Sequence, residues 1–311
     1  MLYGWLRVRM VDDQTTLSFP SQGFTIVPLC PPDELVCCIA AGPGGHALHV
    51  LLDTGTDPSA IDVGLARRLG LRTGGSGMGQ GAVSDAVHFT EAVLPWLRIG
   101  DLVVRDLFVP ALDLSGLPFR VDVVLGYNVL RQLSIRIDHR QRLLTLAHPD
   151  LGVPSLSDAS VTLPLVFFEH FPAIGDVEVE GRQIPLATID TGSNGALSVG
   201  PDLADALGLV PGATDVMTAR GAGFGGGGEV MRRRCRQMRV GPFTLCDVEL
   251  DTHVGLGGDL GRTGRANIGN RLLAEFAAVV LDYERRTIIL EPHAAAEGRP
   301  SRQPGPVTPL A

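Results

Sequence analysis

The chain has no lysine: every fixed cation among its 311 residues is an arginine. That absence reads as the bias of a GC-rich genome rather than as chemistry. The formal net charge is −8, which argues against a nucleic-acid partner, because phosphate binding needs a basic face. The one basic run, Arg232-Arg-Arg-Cys-Arg236, reads as a solvated strand or loop edge. Five cysteines are too few, and odd in number, for a disulfide framework. Cys30, Cys37 and Cys38 lie in apolar runs, where a thiol behaves as a small hydrophobe. No spacing suggests zinc, so neither a metal nor a cofactor is expected. No run of about twenty apolar residues exists to span a membrane. Leu35 to Leu52 comes closest, and Gly42-Pro43-Gly44-Gly45 breaks it into a hairpin. The first residues lack the apolar stretch and cleavage site of a signal peptide, which makes a cytoplasmic location the expectation.

Hydrophobic residues make up 45% of the chain and charged residues 19%, so a packed protein is expected rather than a disordered one. Within it the triplet Asp-Thr-Gly occurs twice, each time after an apolar run: Asp53-Thr54-Gly55 after Ala47–Leu52, and Asp190-Thr191-Gly192 after Ile184–Ile189. A carboxylate at a strand end, followed by a hydroxyl and a glycine, suits a catalytic loop better than a core. Two such loops suggest two carboxylates brought together to activate water without a metal.

The duplication extends past the triplets. Leu65-Ala-Arg-Arg-Leu-Gly70-Leu71 matches Leu203-Ala-Asp-Ala-Leu-Gly208-Leu209. Leu97-Arg-Ile-Gly100 matches Met238-Arg-Val-Gly241. Val124-Leu125-Gly126 matches Asn267-Ile268-Gly269, and Ile135-Arg-Ile-Asp138 matches Val279-Val-Leu-Asp282. Order is kept and only short insertions separate the blocks, as in one ancestral lobe of about 130 residues, duplicated and fused.

The chain divides accordingly into an N-terminal extension (1–21), a first lobe (22–148), a linker (149–159), a second lobe (160–293) and a tail (294–311). The extension has no counterpart in the second copy and reads as an extra strand or a loose arm. The tail, rich in Pro, Gly and Ala, is expected to be disordered. Phe24–Leu29 and Val161–Val166 read as opening strands. Hairpins follow: Leu35–Ala41 with His46–Leu52, and Ile174–Glu180 with Gln183–Ile189, the latter turning at Glu180-Gly181-Arg182. Helices are predicted over Ile61–Leu69 and Leu203–Leu207, with Gly70 and Gly208 as stops. Further helical turns are predicted over Asn128–Leu133 and Asn270–Phe276. The rest is strand and turn, giving a mostly-β protein with a closed or partly closed barrel in each lobe and the active site between the lobes.

With its paired Asp-Thr-Gly-Thr/Ser loops, glycine-rich stretches, apolar-apolar-Gly triplets and final strand pairs, the chain resembles the retropepsin-like aspartic proteases. It is most similar to the bacterial group related to Gag-polyprotein proteases. The resemblance covers residues 22–292 and implies two tandem acid-protease lobes in one chain, a pepsin-like arrangement acting as a monomer with a pseudo-two-fold axis. It implies that Asp53 and Asp190 are the catalytic pair. Two carboxylates so close share one proton, so that one takes a proton from water while the other protonates the scissile carbonyl. Gly55 and Gly192 would turn the backbone and present N–H donors. Thr54 and Thr191 would cross-link the loops. Thr56 and Ser193 would hydrogen-bond the carboxylates from outside.

Gly74–Gly81 and Gly221–Gly228 fall where the family carries its flaps. Gly77, Met78 and Gly79, and Gly223, Phe224 and Gly225, would be the mobile tips that meet a peptide or protein substrate. Three departures stand out. Neither flap has a tyrosine. Asn194-Gly195 follows the second triplet where Asp57-Pro58 follows the first. Asn267 replaces an apolar residue, which is expected to weaken packing. The glycine pattern Gly221-x-Gly223-x-x-Gly226 lacks the βαβ unit of a dinucleotide site. A strand would point His46 and His49 to opposite faces. The competing class is a peptide- or protein-binding module that keeps the fold and cleaves poorly. A third is a scaffold whose lobes pair with those of another chain.

Overall fold

The computed structural model describes residues 2–3, 6–7, 14–81, 86–154, 156–223, 226–254 and 266–293. The expected disordered tail, 294–311, lies outside the described residues. The fold is mostly β, with four short α-helices among the described residues.

Ala47–Leu52 leads into the first triplet and sets the frame around it. It runs antiparallel to Cys37–Ala41 and parallel to Val123–Leu125, with Leu52 opposite Leu125. Val123–Leu125 lies antiparallel to Ala60–Asp62, which runs parallel to Leu102–Leu112. Leu102–Leu112 pairs along Val87–Ile99, whose Arg98 meets Ala41 and closes the ring. All of Val123–Leu125 is buried, as a parallel strand covered on both faces requires. Along Val87–Ile99 the buried positions Val87 and Phe89 shift frame to Ala92 and Leu94 across a register break at Thr90/Ala92.

The same order of pairings recurs around the second triplet. Ala187–Asp190 runs parallel to Ala266–Gly269, which lies antiparallel to Leu197–Val199. Leu197–Val199 runs parallel to Phe243–Val254, which pairs along Gly226–Val240. The hairpin expected over 174–189 is broken in two. Val177–Val179 pairs with Arg182–Ile184, and Phe171–Ile174 pairs with Ala187–Asp190. Pro185 lies in the gap between Ile184 and Ala187, and with no N–H it cannot carry the ladder through.

A third sheet joins strands from both halves in the order Val161–Pro164, Thr287–Glu291, Ala278–Asp282, Ser134–Asp138, Leu143–Ala147, Phe24–Pro28. At its centre Arg136 stands opposite Val280, with three strands on either side of that line. One apolar cluster runs from Val27 through Leu52, Leu125 and Ile189 to Leu290. The five cysteines are free. Cys37 and Cys38 are buried, and burial pushes both thiols far above their ordinary range, so they pack as small hydrophobes.

The helices are, in chain order, Val63–Arg68, Tyr127–Leu130, Pro201–Ala206 and Asn270–Leu273. The first, second and fourth are shorter than predicted, while Pro201–Ala206 begins two residues earlier than predicted and ends one earlier. Asp62 caps the first by accepting from the Leu65 N–H. Gly70 and Gly208 end the first and third with positive φ, and the two following turns match bond for bond. Gly70 N–H donates to Arg67 O and Leu71 N–H to Ala66 O, as Gly208 N–H does to Asp205 O and Leu209 N–H to Ala204 O.

The basic run corrects one expectation. It lies on the strand Gly226–Val240, and Arg233 is buried rather than solvated. Its guanidinium donates to Leu207 O and pairs with Glu180, while Arg232 and Arg234 pair with Glu249 and Asp247. Three segments of the expected extension form strands. Thr16–Ser18 pairs with Val103–Arg105, and Leu2–Tyr3 lies parallel to Ala222–Gly223. Leu6–Arg7 lies between Gln80–Gly81 and Thr56–Asp57.

Candidate active site

Asp53 follows the last residue of Ala47–Leu52 and Asp190 ends Ala187–Asp190, so each carboxyl stands at a strand end whose last residues are buried. The two threonines lock these ends together. Thr54 N–H donates to Thr191 Oγ1 at 3.1 Å, and Thr191 N–H donates to Thr54 Oγ1 at 3.0 Å. Each hydroxyl then donates across the junction, Thr54 to Ile189 O at 2.6 Å and Thr191 to Leu52 O at 2.8 Å. All four bonds are buried.

Interlocking the loops forces the carboxyls together. The two carboxyls stand close enough for each to bear on the other's ionisation. Gly192 is required by close approach: a Cβ there would lie 2.3 Å from the Asp53 carboxyl carbon. Gly55 N–H donates to Asp53 Oδ1 at 2.8 Å and Gly192 N–H to Asp190 Oδ1 at 2.9 Å. Both aspartates are fully buried. Burial pushes the Asp53 carboxyl up to about 6. Burial, and next the charge of Asp53, raises Asp190 well above the ordinary carboxylate range. A pair that holds one proton between two carboxyls can act as base and acid in the same step.

Residues 39–129 match a family model described as aspartyl protease. The matched span holds the first triplet, the first glycine-rich hairpin and the Val124-Leu125-Gly126 strand, and it ends before the second triplet. No curated protein matches the chain.

The outer oxygens are held differently in the two halves. Thr56 Oγ1 donates to Asp53 Oδ2 at 2.5 Å, as expected. Ser193 does not repeat this among the described hydrogen bonds of Asp190; its Oγ accepts from Gly195 N–H at 3.2 Å. The donor is instead Asn267, whose Nδ2 reaches Asp190 Oδ2 at 2.9 Å. The asparagine expected to weaken packing is therefore buried and bonded to the site. The signal was present in the register: Thr188 pairs with Asn267 and lies two residues before Asp190, on the same face of its strand.

Asp57 is a second residue that sequence reasoning passed over. Its Oδ2 lies 2.5 Å from His170 Nδ1, and the His170 ring stacks on Tyr127 with centroids 4.4 Å apart. This ties the loop after the first triplet to the second half of the chain.

The first glycine-rich stretch is not a loose loop. Gly77, Met78 and Gly79 lie inside the strand Thr73–Gly81, opposite Phe89, His88 and Val87. Met78 is thus on the arm of a hairpin and not at its tip. It is 66% exposed and borders an open cleft of 420 Å³ with Val63, Phe89, Ala111 and Asp113. The second stretch forms the hairpin Met217–Gly223 with Gly226–Val240, closing at Gly223 opposite Gly226. Phe224 and Gly225 lie outside the described residues.

Proposed function

We propose that the chain is an aspartic-type endopeptidase of two tandem retropepsin-like lobes, about 22–148 and 160–293, in which Asp53 and Asp190 hydrolyse a peptide bond. The observation that carries this reading is the pair of buried carboxyls that Gly192 brings together, held by reciprocal Thr54–Thr191 bonds. The ionised carboxyl takes a proton from water as it attacks the scissile carbonyl. The protonated one donates to the carbonyl oxygen. The tetrahedral intermediate then collapses with proton return to the leaving amine, and the pair is ready again. One chain supplies both groups, so it acts as a monomer and needs neither metal nor cofactor. Digestion of a peptide library by the purified chain tests the reading. Cleavage that disappears in Asp53→Asn supports it, and cleavage that persists there overturns it.

The strand Leu6–Arg7 supports a peptide as the substrate. Extended backbone already lies between the first glycine-rich hairpin and Thr56–Asp57, paired on both sides, which is how a cleft recognises a peptide by strand addition. A substrate taking that ladder must displace it. A chain lacking residues 1–7 is therefore expected to bind peptide several-fold more tightly, read as a lower KM. An unchanged KM would mean that substrate runs elsewhere. The same strand also favours the second reading, a binding module. A shortened chain that binds peptide in calorimetry yet leaves it intact would establish that alternative.

Met78 gives a further test. It is largely exposed, so Met78→Ala should leave the melting temperature unchanged. Loss of an apolar contact with substrate should cost about 1 kcal/mol in kcat/KM, roughly fivefold. Early melting with normal kinetics would make Met78 a packing residue instead.

A further inference from the structure

The two halves differ by a coordinated pair of residues beside the carboxyls. In the first half Leu51 stands opposite Val124, two residues before Asp53, and both are buried in an apolar cluster. At the matching positions of the second half, Thr188 stands opposite Asn267. Thr188 Oγ1 donates to Asn267 Oδ1 at 2.7 Å, and Asn267 Nδ2 donates to Asp190 Oδ2 at 2.9 Å. Two polar groups have replaced two apolar ones, and each accounts for the other. An unpaired amide buried this deeply would be costly.

We propose that Asn267, oriented by Thr188, is a positioning residue that fixes one oxygen of Asp190 as an acceptor and so makes the two carboxyls chemically unequal. The inequality follows from donor chemistry. The Thr56 hydroxyl on Asp53 either gives or takes a hydrogen bond, so it serves the charged and the protonated carboxyl alike. An amide NH₂ only gives. Together with Gly192 N–H, it gives each oxygen of Asp190 a partner that can donate and cannot accept. Asn267 therefore favours the charged form of Asp190 specifically. Among the described residues, Asp53 is the ionisable group that bears on Asp190. Tyr283 lies close enough to Asp53 for each charge to affect the other, and burial keeps its phenol neutral. His170 is paired with Asp57.

This proposal rests on the reading of Asp53 and Asp190 as a proton-sharing pair. Its consequence is that the last proton leaves the pair at a lower pH than two buried carboxyls alone would allow. The test is Thr188→Leu with Asn267→Val, which copies the apolar pair that the first half already packs. Carboxyl carbon NMR of the aspartates reads protonation without turnover. In the double variant the Asp190 titration should move up by about one to two pH units, as loss of a hydrogen bond to a charged group implies, and that of Asp53 by less. Thr188→Val alone, which frees the amide to turn, should give a smaller shift in the same direction. An unchanged Asp190 titration in the folded double variant, or a shift confined to Asp53, overturns the proposal. Peptide cleavage measured in parallel keeps the two questions apart. If the wild-type chain cleaves nothing and the titration still moves, the asymmetry stands and the protease reading falls. If it cleaves and the titration stays put, the reverse holds.

Discussion

Asp53→Asn and Asp190→Asn are each expected to lower kcat by roughly 10³-fold or more, the scale seen when one member of a cooperating catalytic unit is lost. One carboxyl cannot both take the proton from water and supply one to the carbonyl oxygen. The variants should nonetheless fold, and their stability carries a second signature. Both carboxyls have folded-state values raised above the unfolded one, first by burial. The stability they contribute is complete below about pH 4, where both states are protonated, and is lost as pH rises through the folded values, about 6 in the case of Asp53. Asparagine removes that loss. The melting temperature of either variant should therefore gain on the wild type between pH 4 and pH 8. Equal melting curves at both pH values would mean that the carboxyls are not strained by burial. Full activity in either variant would place the chemistry elsewhere.

Thr191→Val should have the largest effect on stability. Valine keeps the shape and removes the hydroxyl. Thr54 N–H then loses its acceptor and Leu52 O loses its donor, both in a buried junction. Two buried polar groups left unpaired cost about 2–5 kcal/mol in all. Thr191→Ser keeps both bonds and should recover most of that loss. Because Thr54 and Thr191 share their partners, the double variant Thr54→Val with Thr191→Val should fall short of the sum of the two single losses. Denaturant unfolding reads all four. A Thr191→Val chain as stable as the wild type would mean that the loops do not interlock.

Much of this arrangement was legible in the residues, and the reasons are local. Asp-Thr-Gly after an apolar run places a carboxyl at a strand end in both copies. Leu69-Gly70 and Leu207-Gly208 carry the whole of their helix-stop geometry in a few neighbours. What escaped depends on partners distant in the chain. Thr73–Gly81 has too few side chains to display a two-residue period, and it is a strand because Val87–Ile99 pairs with it. Arg233 looks solvated within a run of arginines until Leu207 O and Glu180 are found beside it. Ser193 matches Thr56 in sequence, but its hydroxyl accepts from Gly195 N–H, and the donor to the outer oxygen of Asp190 comes from Asn267, 77 residues away. Asn267 reads as a defect in an apolar triplet until register brings Thr188 and Asp190 alongside.

The most direct test is the pH dependence of kcat/KM for one cleaved peptide, from pH 3 to pH 9, with the wild type and Asp53→Asn side by side. A shared proton requires a bell: activity falls at low pH when both carboxyls are protonated and at high pH when the last proton leaves. The bell should vanish with the activity in the variant. A wild-type rate that climbs steadily to pH 9, or a profile that survives in Asp53→Asn, would contradict the carboxyl pair as the catalyst.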